Sequence, residues 1–310
     1  MLKSILVTGK NGQLGQSLQK VVIQNSELSI QHAFIFVGRD QLDLASPQSI
    51  TDFFRSQRFD AIINCAAYTT VDKAESEPEL ADQINHLAVK QLADIAKALN
   101  SFLIHISTDY VFDGTNHRPY VETDKTNPIN TYGLTKLKGE QAMQASGCAG
   151  AIIRTSWVYS EFGNNFVKTM LRLAKERDNL NVIYDQIGSP TYATDLAQVV
   201  LAVLNNEFSM LNDEDNSGEY EAVKIQNSEL NIYHYANEGV CSWYDFAKAI
   251  FEISNINCQV NSIETQDYPT PAKRPFYSVM NKAKIKQQAG LVIPYWRDSL
   301  KQCLMQLEQN

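Results

Sequence analysis

A tyrosine and a lysine four residues apart, Tyr132 and Lys136, form the pair of side chains in this sequence best suited to proton transfer. Residues with this spacing share one face of a helix. A free tyrosine has a pKa of about 10, and a nearby ammonium group favours its phenolate, so the pair can exchange a proton with a carbonyl oxygen. Thr108, at the end of an apolar run, offers a hydroxyl to the same oxygen. These residue types predict a site for carbonyl reduction.

The spacing alone does not select the catalytic tyrosine, because Tyr220 and Lys224 share it, as do Tyr244 and Lys248. Tyr220 lies beside an acidic stretch, and Tyr244 lies in an amphipathic segment whose aromatic residues are typical of a core. Tyr132 instead follows a turn-forming segment and lies between the fourth and fifth predicted strands, which places it beside the strand end that carries two hydroxyl residues. Its position predicts that Tyr132 is the proton donor.

The elements that must position these residues are short apolar runs alternating with helical patterns. Strands are predicted at Ser4–Thr8, Ala33–Val37, Ala61–Asn64, Phe102–Ser107 and Ala151–Thr155, and helices at Gly12–Gln24, Pro47–Gln57, Leu80–Leu99 and Tyr132–Ala145. Apolar strands joined by helices are typical of a parallel sheet covered on both faces, and right-handed connections make it doubly wound. The predicted fold class is therefore α/β, with a Rossmann-type sheet that binds ligands at the carboxyl edge of its strands.

The second half of the chain has a looser pattern, which predicts a smaller C-terminal α/β substrate-binding domain. Its predicted helices and strands are Asn164–Lys175, Val182–Tyr184, Thr194–Leu204 and Leu230–Tyr235. Residues 1–157 are predicted to form the NAD(P)-binding domain, with returns to it near 194–210 and 228–240, and residues 158–310 mainly the substrate domain. The acidic stretch Asn212–Glu219 is predicted to be a solvated loop.

Three glycines between the first strand and the first helix, Gly9, Gly12 and Gly15, predict a dinucleotide site. Glycine at these positions permits a tight turn, lets the backbone approach a pyrophosphate and allows the helix to pack closely on the strand. The phosphates would lie at the helix N-terminus, where free N–H groups point outward.

The residues after the second strand distinguish NADPH from NADH. An acidic residue there favours a free ribose hydroxyl, whereas an arginine accommodates a 2′-phosphate. Arg39 comes first and Lys10 adds positive charge, so the sequence favours NADPH, while Asp40 keeps NADH open. Small residues at Ala66 and Ala67 would let the cofactor pass close to the backbone.

Composition excludes several other classes of protein. The 310 residues carry a net charge of −8, which argues against bulk nucleic-acid binding. The five cysteines are scattered and odd in number, which supports neither a disulfide framework nor a zinc site and fits a reduced cytoplasm. The chain enters a strand at once, so no signal peptide is expected, and its longest apolar run is far too short to span a membrane.

Several longer motifs resemble the extended short-chain dehydrogenases/reductases, and among them the dTDP-4-dehydrorhamnose reductases. The likeness runs through nearly the whole chain. The stretches that carry it are Ala66–Glu75, Ser107–Gly114, Tyr132–Lys136, Arg154–Tyr159, Gly163–Phe166 and Tyr268–Pro275.

The resemblance implies NADPH- or NADH-dependent reduction of the 4-keto group of dTDP-4-dehydro-β-L-rhamnose to dTDP-L-rhamnose. It assigns catalysis to Thr108, Tyr132 and Lys136. It implies that Gly12, Gln13, Leu14, Arg39, Asp43, Leu44, Ala66, Ala67 and Tyr68 line the cofactor site. The predicted cofactor-binding set is completed by Gly9 and Gly15 of the glycine turn and by Tyr132 and Lys136. Residues expected to face the sugar nucleotide are Thr108, Asp109, Trp157, Asn165 and Arg274. A homodimer is allowed, and no acidic cluster compels a metal.

Two departures and three alternatives stay open. Tyr68 occupies a position where some relatives carry histidine, and the stretch 212–229 is longer than in the family. A sugar-nucleotide dehydratase would need a second carboxylate after Asp109, where Tyr110 stands. A 4-epimerase would share the fold, and a non-catalytic dinucleotide-binding subunit would retain much of the site.

Overall fold

A computed structural model describes residues 3–25, 30, 32–214 and 230–309. Its strands are β1 Lys3–Thr8, β2 His32–Val37, β3 Ala61–Asn64, β4 Phe102–Thr108, β5 Gly150–Thr155, β6 Val158–Tyr159, β7 Asn179–Ile183, β8 Ile187–Gly188, β9 Thr191–Tyr192, β10 Asn231–Tyr235, β11 Cys241–Ser242 and β12 Gln259–Ile263. Its helices are α1 Gln13–Gln24, α2 Pro47–Phe54, α3 Val71–Ala74, α4 Pro78–Asp82, α5 Ala88–Leu99, α6 Thr131–Ser146, α7 Phe166–Leu173, α8 Ala193–Glu214, α9 Trp243–Ile253, α10 Ala283–Ala289 and α11 Trp296–Gln309.

Six parallel strands form the central sheet, in the order β10-β5-β4-β3-β1-β2. Strand order reverses beside β1, so the first strand lies at the switch point where doubly wound sheets bind ligands. The predicted Rossmann-type α/β class is confirmed. The five strands predicted for the first half of the chain are confirmed to within one residue at each end.

Apolar side chains from alternate positions of the strands pack on helices at both faces. On one face Ile5 and Val7 of β1 pack with Leu18 of α1 and Leu196 of α8. On the other face Leu6 packs with residues of α2, α5 and α6. Burial of both faces explains why the strands are almost continuously apolar.

The chain after β5 builds a second, smaller core. Tyr159, Val167, Phe246 and Leu300 belong to this cluster, which joins α7, α9 and α11 to the short two-stranded sheets. The strand β10 pairs with β5 at the edge of the main sheet. The assignment of cofactor binding to residues 1–157 and of substrate binding mainly to residues 158–310 stays a prediction.

Some predicted boundaries differ in the structure. Helix α8 continues to Glu214, so the first residues of the predicted acidic loop are helical, because the helix pattern of Thr194–Leu204 extends beyond its apolar part. The rest of that loop, and with it Tyr220 and Lys224, lies outside the described residues. Strand β7 begins earlier than predicted, because Asn179–Asn181 pair with β12. No helix among the described residues is both long and apolar enough to cross a bilayer.

Candidate active site

The start of helix α6 is fixed by three neighbouring segments. The side chain of Asn130 accepts a hydrogen bond from the Gly133 N–H at 2.7 Å, and Glu75 accepts from the Thr131 N–H at 2.8 Å. A Cβ atom on Gly133 would lie 2.2 Å from the carbonyl oxygen of Tyr110, so only glycine allows this close approach. These contacts set the position of Tyr132 relative to the end of β4.

The two hydroxyl residues at the end of β4 point to different partners. Ser107 donates to the buried carboxylate of Glu140 at 2.5 Å. The Thr108 hydroxyl donates to Asp109 Oδ1 at 2.9 Å and accepts from the Tyr110 N–H at 3.2 Å. Thr108 is close enough to Tyr132 to lower the pKa of its hydroxyl, whereas Ser107 is engaged by Glu140. The joint role of Thr108 and Tyr132 at a carbonyl oxygen stays a prediction.

Burial decides the protonation of the acidic groups at this position. It raises the pKa of Tyr132 to about 12, against the opposing effect of the Thr108 hydrogen bond. It also raises the pKa of the 2 % exposed Asp109 to about 6. Tyr132 therefore carries its proton at neutral pH. The prediction that the ammonium of Lys136 and a nicotinamide ring favour the phenolate stays a prediction.

Lys136 is almost fully enclosed, with 1 % of its surface exposed. Its Nζ donates to the carbonyl oxygen of Ile106 at 2.6 Å and lies 3.1 Å from Nε2 of His105. Burial lowers the pKa of Lys136 to about 8, and the carboxylate of Glu140 opposes the shift. An amine of this kind changes charge near neutral pH, unlike an exposed lysine.

Gly9, Gly12 and Gly15 form a glycine cradle at the junction of β1 and α1. Gly9 has φ +72°, and a Cβ atom on Gly15 would lie 2.2 Å from the Gly9 carbonyl oxygen. Gly12 takes the N-cap position of α1, so no side chain covers the free N–H groups of the first turn. A Cβ atom on Gly9 would meet the backbone of Ala66 at 2.9 Å. This bare helix N-terminus fits the pyrophosphate of a dinucleotide.

Beside the cradle, Gln13 connects α1 to the segment before α7. Its Oε1 accepts hydrogen bonds from Ser160 at 3.0 Å and from Asn165 at 2.9 Å. Asn165 also caps α7 by accepting from the Lys168 N–H at 3.1 Å. The structure thus places Asn165 beside Gln13, a predicted cofactor residue, with its side chain engaged by protein atoms. Its predicted contact with the nucleotide stays a prediction.

The loop after β2 is open. The side chain of Arg39 is 75 % exposed and lies 3.3 Å from the carboxylate of Asp43, while Lys10 lies 3.7 Å from that of Asp40. The remaining residues predicted here are buried or line the turn after β3; they are Leu14, Leu44, Ala66, Ala67 and Tyr68. The hydroxyl of Tyr68 donates to Glu77 at 2.7 Å.

The predicted substrate residues Trp157 and Arg274 follow β5 and β12 in the chain. Trp157 has a left-handed backbone, φ +49°, and stacks on Trp243 at 3.6 Å between ring centroids. Gly188 leaves room for its ring, since a Cβ atom there would lie 2.8 Å from it. Arg274 makes a two-point ion pair with Asp72, at 2.9 and 2.7 Å.

Sequence reasoning missed the residues that support the reacting groups. His105 contacts Lys136, Glu140 accepts a hydrogen bond from Ser107, and the ring of Trp243 stacks on that of Trp157. The one signal for His105 was a titratable residue inside an otherwise apolar strand. Within the described ranges, no group of three or more His, Cys, Asp or Glu side chains could hold a metal ion.

Comparison with known proteins decides the family. The sequence model of the protein family described as the RmlD substrate binding domain matches residues 3–309 of this chain. The dTDP-4-dehydrorhamnose reductase of Escherichia coli strain K12 is 41% identical over 98% of this chain and 98% of its own length. The chain belongs to the dTDP-4-dehydrorhamnose reductase family. It is an oxidoreductase, as the Tyr132–Lys136 pair and the glycine cradle predicted.

Solved structures of the same family agree with the fold. A dTDP-4-dehydrorhamnose reductase from Clostridium acetobutylicum superposes with a TM-score of 0.85 at 39% identity, covering 98% of this chain and 99% of that one. The Bacillus anthracis enzyme of the same name, solved in complex with NADP, has a TM-score of 0.84 at 36% identity, covering 99% and 100%. The family likeness therefore extends over both cores.

Proposed function

We propose that this chain reduces the 4-keto group of dTDP-4-dehydro-β-L-rhamnose to dTDP-L-rhamnose, with NADPH as the preferred cofactor. The observation that carries the proposal is the position of Tyr132, half-buried at the start of α6, beside the strand-end hydroxyl of Thr108, which acts on the pKa of Tyr132. The 41% identity to the Escherichia coli reductase over nearly the whole chain supports the substrate.

In the proposed reaction Thr108 and Tyr132 hold the ketone oxygen by two hydrogen bonds. The glycine cradle would hold the pyrophosphate of a reduced nicotinamide dinucleotide, which would supply the hydride to the carbonyl carbon. Tyr132 gives its proton to the oxygen, so the ketone gains one hydride and one proton and becomes an alcohol. Because the pKa of Tyr132 is raised to about 12, the proton is in place before the reaction begins.

The residues at the cradle support a dinucleotide, and two features favour NADPH. Arg39 is exposed at the loop where a 2′-phosphate would lie, and Lys10, 3.7 Å from the carboxylate of Asp40, offsets its negative charge. The related Bacillus anthracis enzyme binds NADP. NADH remains the alternative cofactor. The cofactor residues proposed from the sequence keep their assignment, with Gln13 held in place by Asn165.

The sugar is proposed to lie between Asp109 and Trp157, with the nucleotide toward Asn165 and Arg274. The strained backbone of Trp157 supports a functional role, because strain of this kind is retained where the site requires it. In this arrangement residues 1–157 bind mainly the cofactor and residues 158–310 mainly the sugar nucleotide. A cytoplasmic location and a homodimer stay predictions.

A dehydratase or epimerase is the rival function for the same fold. Water elimination would use a second carboxylate beside Asp109, but the next side chain is Tyr110, whose ring meets that of Tyr132 edge-on at 5.7 Å. An epimerase would return the cofactor to its starting state, whereas a reductase consumes it.

The experiment that tests the proposal supplies dTDP-4-dehydrorhamnose, made in situ, and follows the absorbance of the reduced nicotinamide. Oxidation of one NADPH or NADH for each sugar nucleotide supports the reductase. An epimerase would give sugar isomers without net oxidation, and a binding subunit would bind cofactor without turnover. Either of those results would reject the proposal.

A further inference from the structure

Three buried polar side chains on neighbouring strands lead to Lys136. Thr8 of β1 is opposite Asn64 of β3, which is opposite His105 of β4. Their exposures are 2 %, 1 % and 0 %. Thr8 Oγ1 lies 2.7 Å from Asn64 Oδ1, Asn64 Nδ2 lies 3.1 Å from His105 Nδ1, and His105 Nε2 lies 3.1 Å from Lys136 Nζ. We call Thr8, Asn64 and His105 the polar row.

The far end of the polar row fixes the direction of its hydrogen bonds. The backbone N–H of Ala66 points at Thr8 Oγ1, 3.2 Å away, and an N–H group can only donate. The hydroxyl proton of Thr8 then needs an acceptor. Among the described residues, the acceptor of this proton is Asn64 Oδ1. With its oxygen used in this way, Asn64 presents its NH₂ group to His105.

This direction selects one tautomer of His105. Burial and the charge of Lys136 lower the pKa of His105 well below its usual value, so the ring is neutral and has one donor and one acceptor nitrogen. Because Asn64 donates to Nδ1, the proton lies on Nε2 and points at Lys136. A charged ammonium has only donors and meets this N–H unfavourably, whereas a neutral amine accepts it.

We propose that the polar row tunes Lys136 by directing an N–H group at its amine, and that His105 is a positioning residue of the reaction. The consequence is a lysine whose ammonium form is a stronger acid than an ordinary lysine. The role of His105 in the reaction rests on the proposed function, but the tuning of Lys136 does not.

The other charged or titratable groups around Lys136 are separate from the polar row. Glu140 lies one turn later on α6 and is paired with Arg154 of β5 at 2.7 Å, Tyr132 lies one turn earlier, and Asp109 is adjacent to Tyr132. A substitution at the far end of the polar row leaves all of them in place. A change in the titration of Lys136 can then be attributed to the direction of the hydrogen bonds.

The test compares Thr8→Val with Thr8→Ser in the full-length chain. Valine keeps the shape of threonine but removes the hydroxyl, so Asn64 is free to rotate and the His105 tautomer is no longer fixed. Serine keeps the hydroxyl. The titration of Lys136 is followed by NMR of lysine labelled with ¹³C at Cε, with the signal assigned by its loss in Lys136→Arg.

We expect the wild-type and Thr8→Ser proteins to titrate Lys136 together, well below an ordinary lysine. In Thr8→Val the midpoint should rise by roughly one pH unit, which is about tenfold in the protonation equilibrium. Asn64→Asp should raise it further, because a carboxylate can only accept from Nδ1 and reverses the tautomer. Thermal unfolding of each variant checks that it folds.

A second buried histidine provides the control. His234 is also 0 % exposed and lies 3.3 Å from the Arg154 guanidinium, outside the polar row. His234→Gln should leave the midpoint unchanged. Equal midpoints in folded Thr8→Val and Thr8→Ser, or an ordinary midpoint in the wild type, would overturn the proposal.

Turnover separates this proposal from the proposed function. If the chain oxidises NADPH with the sugar nucleotide, the alkaline limb of the kcat profile should move with the NMR midpoint in Thr8→Val. An NMR shift without any turnover would support the tuning and reject the reductase. Turnover with an unmoved NMR midpoint would support the reductase and reject the tuning.

Discussion

Lys136 and Arg39 are both basic residues of the proposed site, but their surroundings differ. Lys136 is 1 % exposed and contacts a ring nitrogen and a backbone carbonyl, whereas the Arg39 side chain is 75 % exposed with one carboxylate beside it. A charge in a dry, fixed surrounding interacts far more strongly than one screened by water. Substitutions at the enclosed end should therefore alter the chemistry, and those at the open end should alter only cofactor preference.

The largest effect is expected at the enclosed end, from Tyr132→Phe. Loss of the only proposed proton donor should lower kcat by about 10³-fold, within the range for general acid catalysis, while the Kd for NADPH stays nearly unchanged. Turnover and cofactor binding are measured on the same preparation. Tyr244→Phe is the matched control, because Tyr244 has the same spacing to a lysine but packs in the second core. Equal losses in both variants would remove the distinction between the two tyrosines.

The substitution Asp109→Asn tests whether the buried charge at the enclosed end lowers the free energy of unfolding. Burial raises the pKa of Asp109 to about 6 from an ordinary 3.8, so the folded state loses stability as pH rises through this interval. Asp109→Asn removes the ionisation and keeps an oxygen for Thr108. It should raise the free energy of unfolding at pH 8 by up to about 3 kcal/mol, and the gain should vanish near pH 4.

Asp113 provides a control of opposite sign for that experiment. The Thr115 N–H and other hydrogen bonds lower its pKa to about 2, so its carboxylate stabilises the folded state above its unfolded pKa. Asp113→Asn should therefore destabilise the protein at pH 8, with the difference lost as pH falls toward 2. Urea unfolding at several pH values measures both variants. A stability gain from Asp109→Asn that is the same at pH 4 and pH 8 would contradict the buried charge as its cause.

Arg274 lies between the two extremes, since it is partly enclosed but paired with Asp72. If it binds the pyrophosphate, Arg274→Ala should raise KM for the sugar nucleotide by about 10- to 100-fold, the usual value of a charge-assisted hydrogen bond, with kcat little changed. Asp72→Ala should instead leave KM unchanged or lower it, because it frees the guanidinium. Parallel increases in KM would mean that the ion pair only holds the two segments together.

The sequence predicted the framework well because local rules governed it. Continuous apolar strands, the glycine turn and a capped helix at Tyr132 each depend on a few adjacent residues, and the structure agrees with them. The strand-end location of Thr108 followed from the parallel sheet, since carboxyl ends of parallel strands share one edge.

The supporting contacts could not be predicted because they join distant residues. The polar row needs the register of three strands, and the Arg274–Asp72 pair connects residues 202 positions apart. The pKa of Tyr132 could not be predicted from the sequence either. It depends on how far desolvation of the side chain outweighs the charges near it. The pattern indicated a tyrosine–lysine pair but not that burial would raise the pKa of one partner and lower that of the other.

The smallest effect is expected at the open end, from Arg39→Ala. An exposed arginine beside a 2′-phosphate is screened by water, so its loss should raise KM for NADPH by about tenfold or less and leave KM for NADH nearly unchanged. The measurement is turnover with each cofactor at low and at moderate salt, because screening should reduce the difference at higher ionic strength. The same losses with NADPH and NADH would show that Arg39 acts through Asp43 and the fold of its loop. A large decrease in kcat would mean that the two ends of the site are coupled more tightly than their exposures indicate.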